Sequence, residues 1–218
     1  MISTSRFFPP VHRADEDGLL AVGGKLSPDC LVDAYMHGIF PWPYGENQPM
    51  LWFSPDPRAI LPLETAHFSR RLMRRIRKGD WIFTVDEAFE DVMWGCAQPR
   101  PGEPETWITP SMVRAYVRLY TLGLAHSVEV WRRETAGERV LVGGTYGVAL
   151  GRLFAAESKF HTETDASKAA LWKLVEILKE KGYILMDVQM MNDHIRQFGV
   201  VEISREEYLR RLEEAIGM

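Results

Sequence analysis

The chain has 218 residues, 46% hydrophobic and 26% charged, with a formal net charge of −4; this composition supports one sizeable core plus a lesser unit and excludes disordered and fibrous classes. Only Cys30 and Cys96 occur, in unlike contexts and without CxxC spacing, so neither a disulfide framework nor a metal site is indicated and a reducing, cytoplasmic setting fits. The N-terminus has no apolar core of signal-peptide length and no run of about 18 apolar residues occurs, so no export and no membrane partner are expected.

Residues 1–56 are rich in loops bounded by Pro9, Pro10, Pro28, Pro41, Pro43, Pro49 and Pro55, and one helix stands out among them. Ser27 is placed to cap it, Pro28 occupies its first turn, Leu31, Ala34 and Tyr35 form its apolar side, and Gly38 closes it. A segment this small is expected to pack on a larger domain, 57–218, with the hand-over at the Ser-Pro-Asp-Pro run, 54–57. A basic helix is predicted over about 67–78. A second starts at Asp86 with Phe89, Val92, Met93 and Cys96 at helical spacing, and a third runs from Thr109-Pro110 to Gly123. Ala125 to Trp131 and Arg139 to Leu150 read as an antiparallel hairpin turning at Glu134 to Glu138, and Leu153 to Glu157 reads as a further strand.

The strongest helix is capped by Asp165, carries Leu171, Leu174, Val175 and Leu178 on one face, and stops at Gly182. A buried strand then ends in Asp187 and Gln189, which share a face about 7 Å apart because side chains repeat every second residue. A short helix at about 192–198, a strand from Val200 to Ile203 and a final helix complete the chain. The last opens on the capping box Ser204 and Glu207, with Ile203 and Tyr208 as a hydrophobic staple. Strands clustered in the second half among helices indicate an α+β or mixed α/β domain around one twisted sheet.

Several chemistries are unsupported. Gly23-Gly24-Lys25 lacks the spacing of a phosphate loop, Gly143 to Gly147 is followed by more strand rather than a helix, and the six histidines form no paired metal motif. No Gly-x-Ser-x-Gly elbow is present. Positive charge is concentrated at Arg70, Arg71, Arg74, Arg75, Arg77 and Lys78, two adjacent stripes of one helix, for which a phosphate backbone is a natural partner and a solvated helix face the plain alternative. Trp42 and Trp107 lie in Pro-punctuated or polar loops rather than in apolar runs. Asp187 on an apolar strand is costly to bury unless it is paired or used, and Gln189 is an obvious hydrogen-bond partner. Glu157 ends a strand and is a second polar group at the edge of the same sheet.

Nine blocks in order, Gly18 to Gly24, Ala34-Tyr35 with Gly38 to Trp42, Ser54 to Arg58, Thr106 to Ile108, His126 to Trp131, Val142 to Gly147, Glu157-Ser158, Ala166 to Lys168 and Asp187 to Gln189, resemble the leucyl/phenylalanyl-tRNA-protein transferases over nearly the whole chain. The resemblance implies a cytoplasmic enzyme that moves leucine or phenylalanine, with methionine a further donor, from aminoacyl-tRNA to the N-terminal Arg or Lys of an acceptor protein and so marks it for degradation. It implies no cofactor. It also implies a GCN5-related acetyltransferase-like mixed sheet with flanking helices, preceded by a small N-terminal α/β domain. On the same basis Asp187 and Gln189 are the expected catalytic pair, Glu157 lies near the reacting groups, and Asp187, through or beside Gln189, helps to remove the proton from the attacking amine. The aminoacyl and terminal-adenosine pocket falls to Tyr35, Trp42, Trp107, Tyr116 and Phe154, and the tRNA stem to the basic residues of 70–78.

Two positions depart from the family pattern. Lys159 follows Glu157-Ser158 where methionine is usual, and Thr145 replaces a larger apolar residue, both beside the expected aminoacyl pocket. Donor selectivity is therefore open to change. A CoA-dependent N-acetyltransferase shares the expected fold, but no glycine occurs between Gly151 and Gly182 to form a pyrophosphate loop before the Asp165 helix. A non-catalytic tRNA-binding module would explain the basic helix and leave Asp187 and Gln189 without a task.

Overall fold

The computed structural model describes residues 4–99, 106–134 and 137–217. It is a mixed α+β fold with two sheets. The smaller has the order β1-β3-β2, from β1 (Leu19–Val22), β2 (Phe40–Pro41) and β3 (Leu51–Phe53), all antiparallel, short strands where the prolines predict loop. Helix α1 (Pro28–Met36) joins β1 to β2, and Ser27 caps it by accepting from the Cys30 N–H.

The larger sheet has seven strands in the order β10-β4-β9-β8-β7-β6-β5. They are β4 (Arg58–Ile60), β5 (Trp81–Val85), β6 (Ala125–Arg133), β7 (Arg139–Leu150), β8 (Leu153–His161), β9 (Leu185–Gln189) and β10 (Val201–Ile203). Strand β5, which pairs with β6 along its length, was not foreseen; it fills the gap before the second helix. That helix, α3 (Phe89–Cys96), starts three residues later than Asp86, which instead turns left-handed at φ 61° and binds the His126 ring and the Ser127 N–H. The β6–β7 hairpin forms as expected, although Thr135 and Ala136 of its turn lie outside the described residues.

Helices cover both faces. On one face α1, α3 and α4 (Pro110–Thr121) share a continuous apolar cluster containing Leu31, Tyr35, Val92, Met112, Tyr116 and Tyr146, so the small sheet and its helix are packed into the main core. On the other, α5 (Ala166–Glu180) lays Leu171, Leu174, Val175 and Leu178 on the sheet, with α2 (Arg70–Arg77) beside it through Leu72. Asp165 does not cap α5 with its side chain; it sits at φ 69° and pairs with Lys168 at 2.9 Å. Short α6 (Asp193–Arg196) and terminal α7 (Arg205–Ile216) follow β9 and β10. Ser204 caps α7, but Glu207 turns to Arg210 and Arg211 instead of closing the box.

One pairing positions everything that follows. Helix α5 returns the chain so that β9 runs parallel to β8, the one parallel pair in the sheet, and their ladder covers only Leu153 with Leu185, Phe154 with Met186 and Ala155 with Asp187. Beyond it β8 stays with β7 while β9 ends, and a gap opens between the two. At the same level β8 carries a bulge: Tyr146 faces Ser158 and Gly147 faces Ala156, which leaves Glu157 as the extra residue. Gly147 is required there. A Cβ would collide with the Ala155 carbonyl and lie 2.5 Å from the Phe154 ring. Gly147→Ala is expected to cost about 1–3 kcal/mol of stability through this overpacking, read as a lower denaturant midpoint; an unchanged midpoint would show the strand has slack there.

Candidate active site

The gap between β8 and β9 is a cavity of about 100 Å³. Leu61, Leu171, Val188, Ile195, Phe198 and Val200 make its apolar wall, and Thr145, Glu157, Ser158, Lys159, Gln189 and Asn192 supply polar groups. Ala156, Glu157 and Gln189 therefore meet where the parallel ladder ends, which is also where a sheet leaves backbone free to approach a ligand.

Glu157 is held from three elements. The Tyr35 hydroxyl on α1 donates to Oε1 at 2.7 Å, the Tyr116 hydroxyl on α4 to Oε2 at 3.1 Å, and the Gln189 amide on β9 to Oε1 at 3.2 Å. The two tyrosine hydroxyls also touch each other. With Glu157 ionised, two hydroxyl protons serve three contacts among Tyr35, Tyr116 and Glu157; with Glu157 protonated, three protons serve three contacts, and each group can donate once and accept once. Burial acts in the same direction, pushing the Glu157 carboxyl up to about 7, with the nearby Asp187 charge adding to the rise and the tyrosine hydrogen bonds and Arg58 opposing it. Glu157 thus exchanges a proton near neutral pH while facing a cavity.

Asp187 is placed differently. It is fully buried and does not line the cavity. Arg58 grips it with two parallel bonds, Nε to Oδ1 at 2.9 Å and Nη2 to Oδ2 at 2.7 Å, the Tyr208 hydroxyl donates to Oδ2 at 3.0 Å, and the Gln189 N–H donates to Oδ1 at 2.9 Å. Four donors occupy the carboxylate, and the expected route from Asp187 to the attacking amine runs through or beside Gln189. Only the linkage through Gln189 remains. Gln189 stands at φ 60°, a left-handed conformation for a residue with a Cβ, and its amide is carried round to Glu157.

Other expected site residues divide. Thr145, Ser158 and Lys159 do line the cavity, with the Thr145 hydroxyl donating to the Ser158 carbonyl at 2.9 Å. Tyr35 and Tyr116 are fully buried behind Glu157 and donate to its carboxyl. Phe154 lies under α5 and lines a second cavity of about 40 Å³ with Val128, Leu174 and Tyr183. Trp42 and Trp107 pack against each other at 5.8 Å, both half-buried, as a separate aromatic step outside the cavity wall. On α2, Arg70, Arg71, Arg74, Arg77 and Lys78 are exposed. Arg75 is not available: it donates to the Thr164 carbonyl at 2.8 Å, pairs with Glu163 and lies over the Trp81 ring. Among the described residues no three His, Cys, Asp or Glu side chains gather as a metal site.

Arg58 and Tyr208 were missed as site residues. The signal for Arg58 was present, because a lone cation next to the apolar run Ala59 to Leu61 needs a buried anion, and Asp187 is the lone anion on the other apolar strand.

A family model described as leucyl/phenylalanyl-tRNA protein transferase matches residues 60–213, and one for the N-terminal domain of that family matches 24–56. A protein of Maridesulfovibrio salexigens named leucyl/phenylalanyl-tRNA–protein transferase is 50% identical over 210 residues, covering 96% of this chain and 85% of the relative. One of the same name from Stutzerimonas stutzeri is 50% identical over 207 residues, covering 94% and 89%. Among solved structures, FemX superposes with a TM-score of 0.48 at 12% identity over 76% of this chain and 61% of that one. A GCN5-related glucosamine N-acetyltransferase region in a fungal multidomain enzyme gives 0.47 at 12% identity over 93% and 24%.

Proposed function

The chain belongs to the leucyl/phenylalanyl-tRNA-protein transferase family, and from that premise we propose how its cavity performs the reaction and on which substrates. It is an acyltransferase that moves an aminoacyl group from tRNA to a protein N-terminus. The donors are leucyl- and phenylalanyl-tRNA and the acceptor begins with Arg or Lys, so that the product carries a new N-terminal degradation signal. The reaction takes place in the cytoplasm, where charged tRNA is available; no helix among the described residues is long and apolar enough to cross a membrane. Residues 1–56 form the small N-terminal domain and 57–218 a catalytic domain of the GCN5-related type, a reading supported by the splayed parallel pair β8 and β9.

An aminoacyl ester is already an activated acyl donor, and an α-amino group with pKa about 7.7–8.0 is partly neutral at pH 7, so alignment and proton transfer are the remaining tasks. The donor side chain enters the apolar wall of the cavity, and the ester carbon comes to rest at Glu157 and Gln189. As the amine nitrogen bonds to that carbon, its proton passes to ionised Glu157. The bond to the ribose oxygen then breaks, and the Glu157 carboxyl returns the proton to that leaving oxygen. Gln189 orients Glu157 and offers its amide oxygen to the amine. With Asp187 neutralised by Arg58, Glu157 is also the carboxylate left to attract the cationic side chain of the acceptor. Trp42 and Trp107 offer faces for the terminal adenosine, and the exposed α2 cations a track for the acceptor stem. The single observation that carries this reading is Glu157 on the cavity at the end of the parallel ladder, held by Tyr35, Tyr116 and Gln189.

A second reading concerns selectivity, because Thr145 and Lys159 both stand in the cavity wall. Their polarity reduces the apolar surface offered to a large ring and favours leucine over phenylalanine.

Transfer of labelled amino acid from charged tRNA to a peptide beginning with Arg reads the reaction. Glu157→Gln lowers kcat by about 10²–10⁴-fold; the wild-type rate rises with pH through about 7 as Glu157 ionises, a limb the variant lacks while keeping that of the amine. A variant with the wild-type rate and profile would remove Glu157 from the proton path. Lys159→Met raises phenylalanyl transfer relative to leucyl transfer by roughly tenfold in a competition between the two charged tRNAs, and an unchanged ratio would remove Lys159 from the specificity pocket. Acetyl-CoA-dependent labelling, or binding of tRNA without transfer, would contradict the reaction itself.

A further inference from the structure

We propose that Arg58 is a positioning residue for the transfer reaction, acting through Asp187 on the left-handed turn that presents Gln189. The proposal rests on the reading that Glu157 and Gln189 handle the reacting groups. Arg58 is buried on β4 and commits all three of its nitrogens: Nε and Nη2 fork onto Asp187 at 2.9 and 2.7 Å, and Nη1 donates to the Gly38 carbonyl at 2.9 Å. Its planar face lies 4.8 Å from the centre of the Phe40 ring and 4.5 Å from that of Tyr208. One side chain therefore ties together the loop after α1, the small sheet, the end of β9 and the last helix.

The route to the site has two links. Asp187 Oδ1, fixed by Arg58 Nε, also accepts the Gln189 N–H at 2.9 Å across the residue at φ 60°. Gln189 then reaches Glu157 Oε1 at 3.2 Å. A free carboxylate at 187 could rotate about its last bond and release that N–H; a forked guanidinium prevents the rotation because both oxygens are held in one plane. Gly38 adds a constraint from the other side. Its carbonyl follows α1, the helix that supplies Tyr35, so Arg58 sets the Gln189 side of Glu157 and the Tyr35 side relative to each other.

Arg58→Lys keeps the charge and removes the fork, since an ammonium is a point donor. Its kcat per folded molecule is expected to fall between about tenfold and hundredfold, as for a small misplacement at a reacting centre, with KM for leucyl-tRNA within about twofold because the tRNA-facing groups lie on other elements. Asp187→Asn should lower kcat likewise. If Arg58 acts through Asp187, the double variant is no slower than the worse single one. Where Arg58→Lys fails to fold, Arg58→Met with Asp187→Asn leaves no lone buried charge, and its kcat is compared with that of Asp187→Asn alone. Wild-type kcat per folded molecule, a rise in KM alone, or losses that multiply in the double variant would each overturn the proposal. Failure of wild-type protein to transfer at all would instead count against the reaction, so the two failures are distinguishable.

Discussion

Two full charges shut away from water, Arg58 and Asp187, fix the frame in which the rest of the site is built. Removing one partner of such a pair typically costs about 3–5 kcal/mol, because the survivor is left charged and dry. The pair persists because every donor and acceptor around it is used: Gly38 and the Phe40 and Tyr208 rings take the guanidinium, and Tyr208 and the Gln189 N–H take the carboxylate. A left-handed Gln189 costs about 1–2 kcal/mol, and a hydrogen bond to a charged acceptor is worth about 1.5–3 kcal/mol. The balance favours the turn only while Asp187 stays where Arg58 holds it.

Two carboxylates on neighbouring strands consequently have opposite characters. Asp187 is matched by a full positive charge and is closed to any incoming group. Glu157 is matched by two hydroxyls and an amide, which are dipoles, and burial pushes its carboxyl up to about 7. The fold separates them by geometry rather than by distance along the chain. Asp187 belongs to the last paired level of the parallel ladder, whereas Glu157 is the extra residue of the bulge just beyond it, where β8 and β9 have parted. A bulge re-aims a side chain out of its strand's alternation, and here it turns Glu157 toward α1 and α4 while leaving it on the cavity.

Much of the fold was legible locally, because helix ends are written in a few adjacent residues. Ser27, Thr109 and Ser204, where helices were expected to open, each cap the helix that follows, whereas the basic helix opens at Ser69 and not at 67. Strand β5 was missed because Trp81 to Val85 is short, sits between two helical patterns and does not alternate cleanly. At the site, the shared face of Asp187 and Gln189 follows from the two-residue repeat of a strand. What closes over Asp187 does not, since Arg58 lies 129 positions away along the chain. For the same reason the bonds of Tyr35 and Tyr116 to Glu157, and those that tie Arg75 to Glu163 and Thr164, were not legible in the sequence. Residue type and spacing identify groups that need partners; only the packed sheet decides which partner each one finds.

The proposed chemistry turns on proton exchange by the Glu157 carboxyl near neutral pH. Titrating the folded enzyme with carboxyl-labelled Glu by carbon NMR, assigned through Glu157→Gln, reads this without relying on turnover. The Glu157 carboxyl is expected to titrate with a midpoint near 7. A Glu157 midpoint near the ordinary carboxylate value of about 4.3 would contradict it.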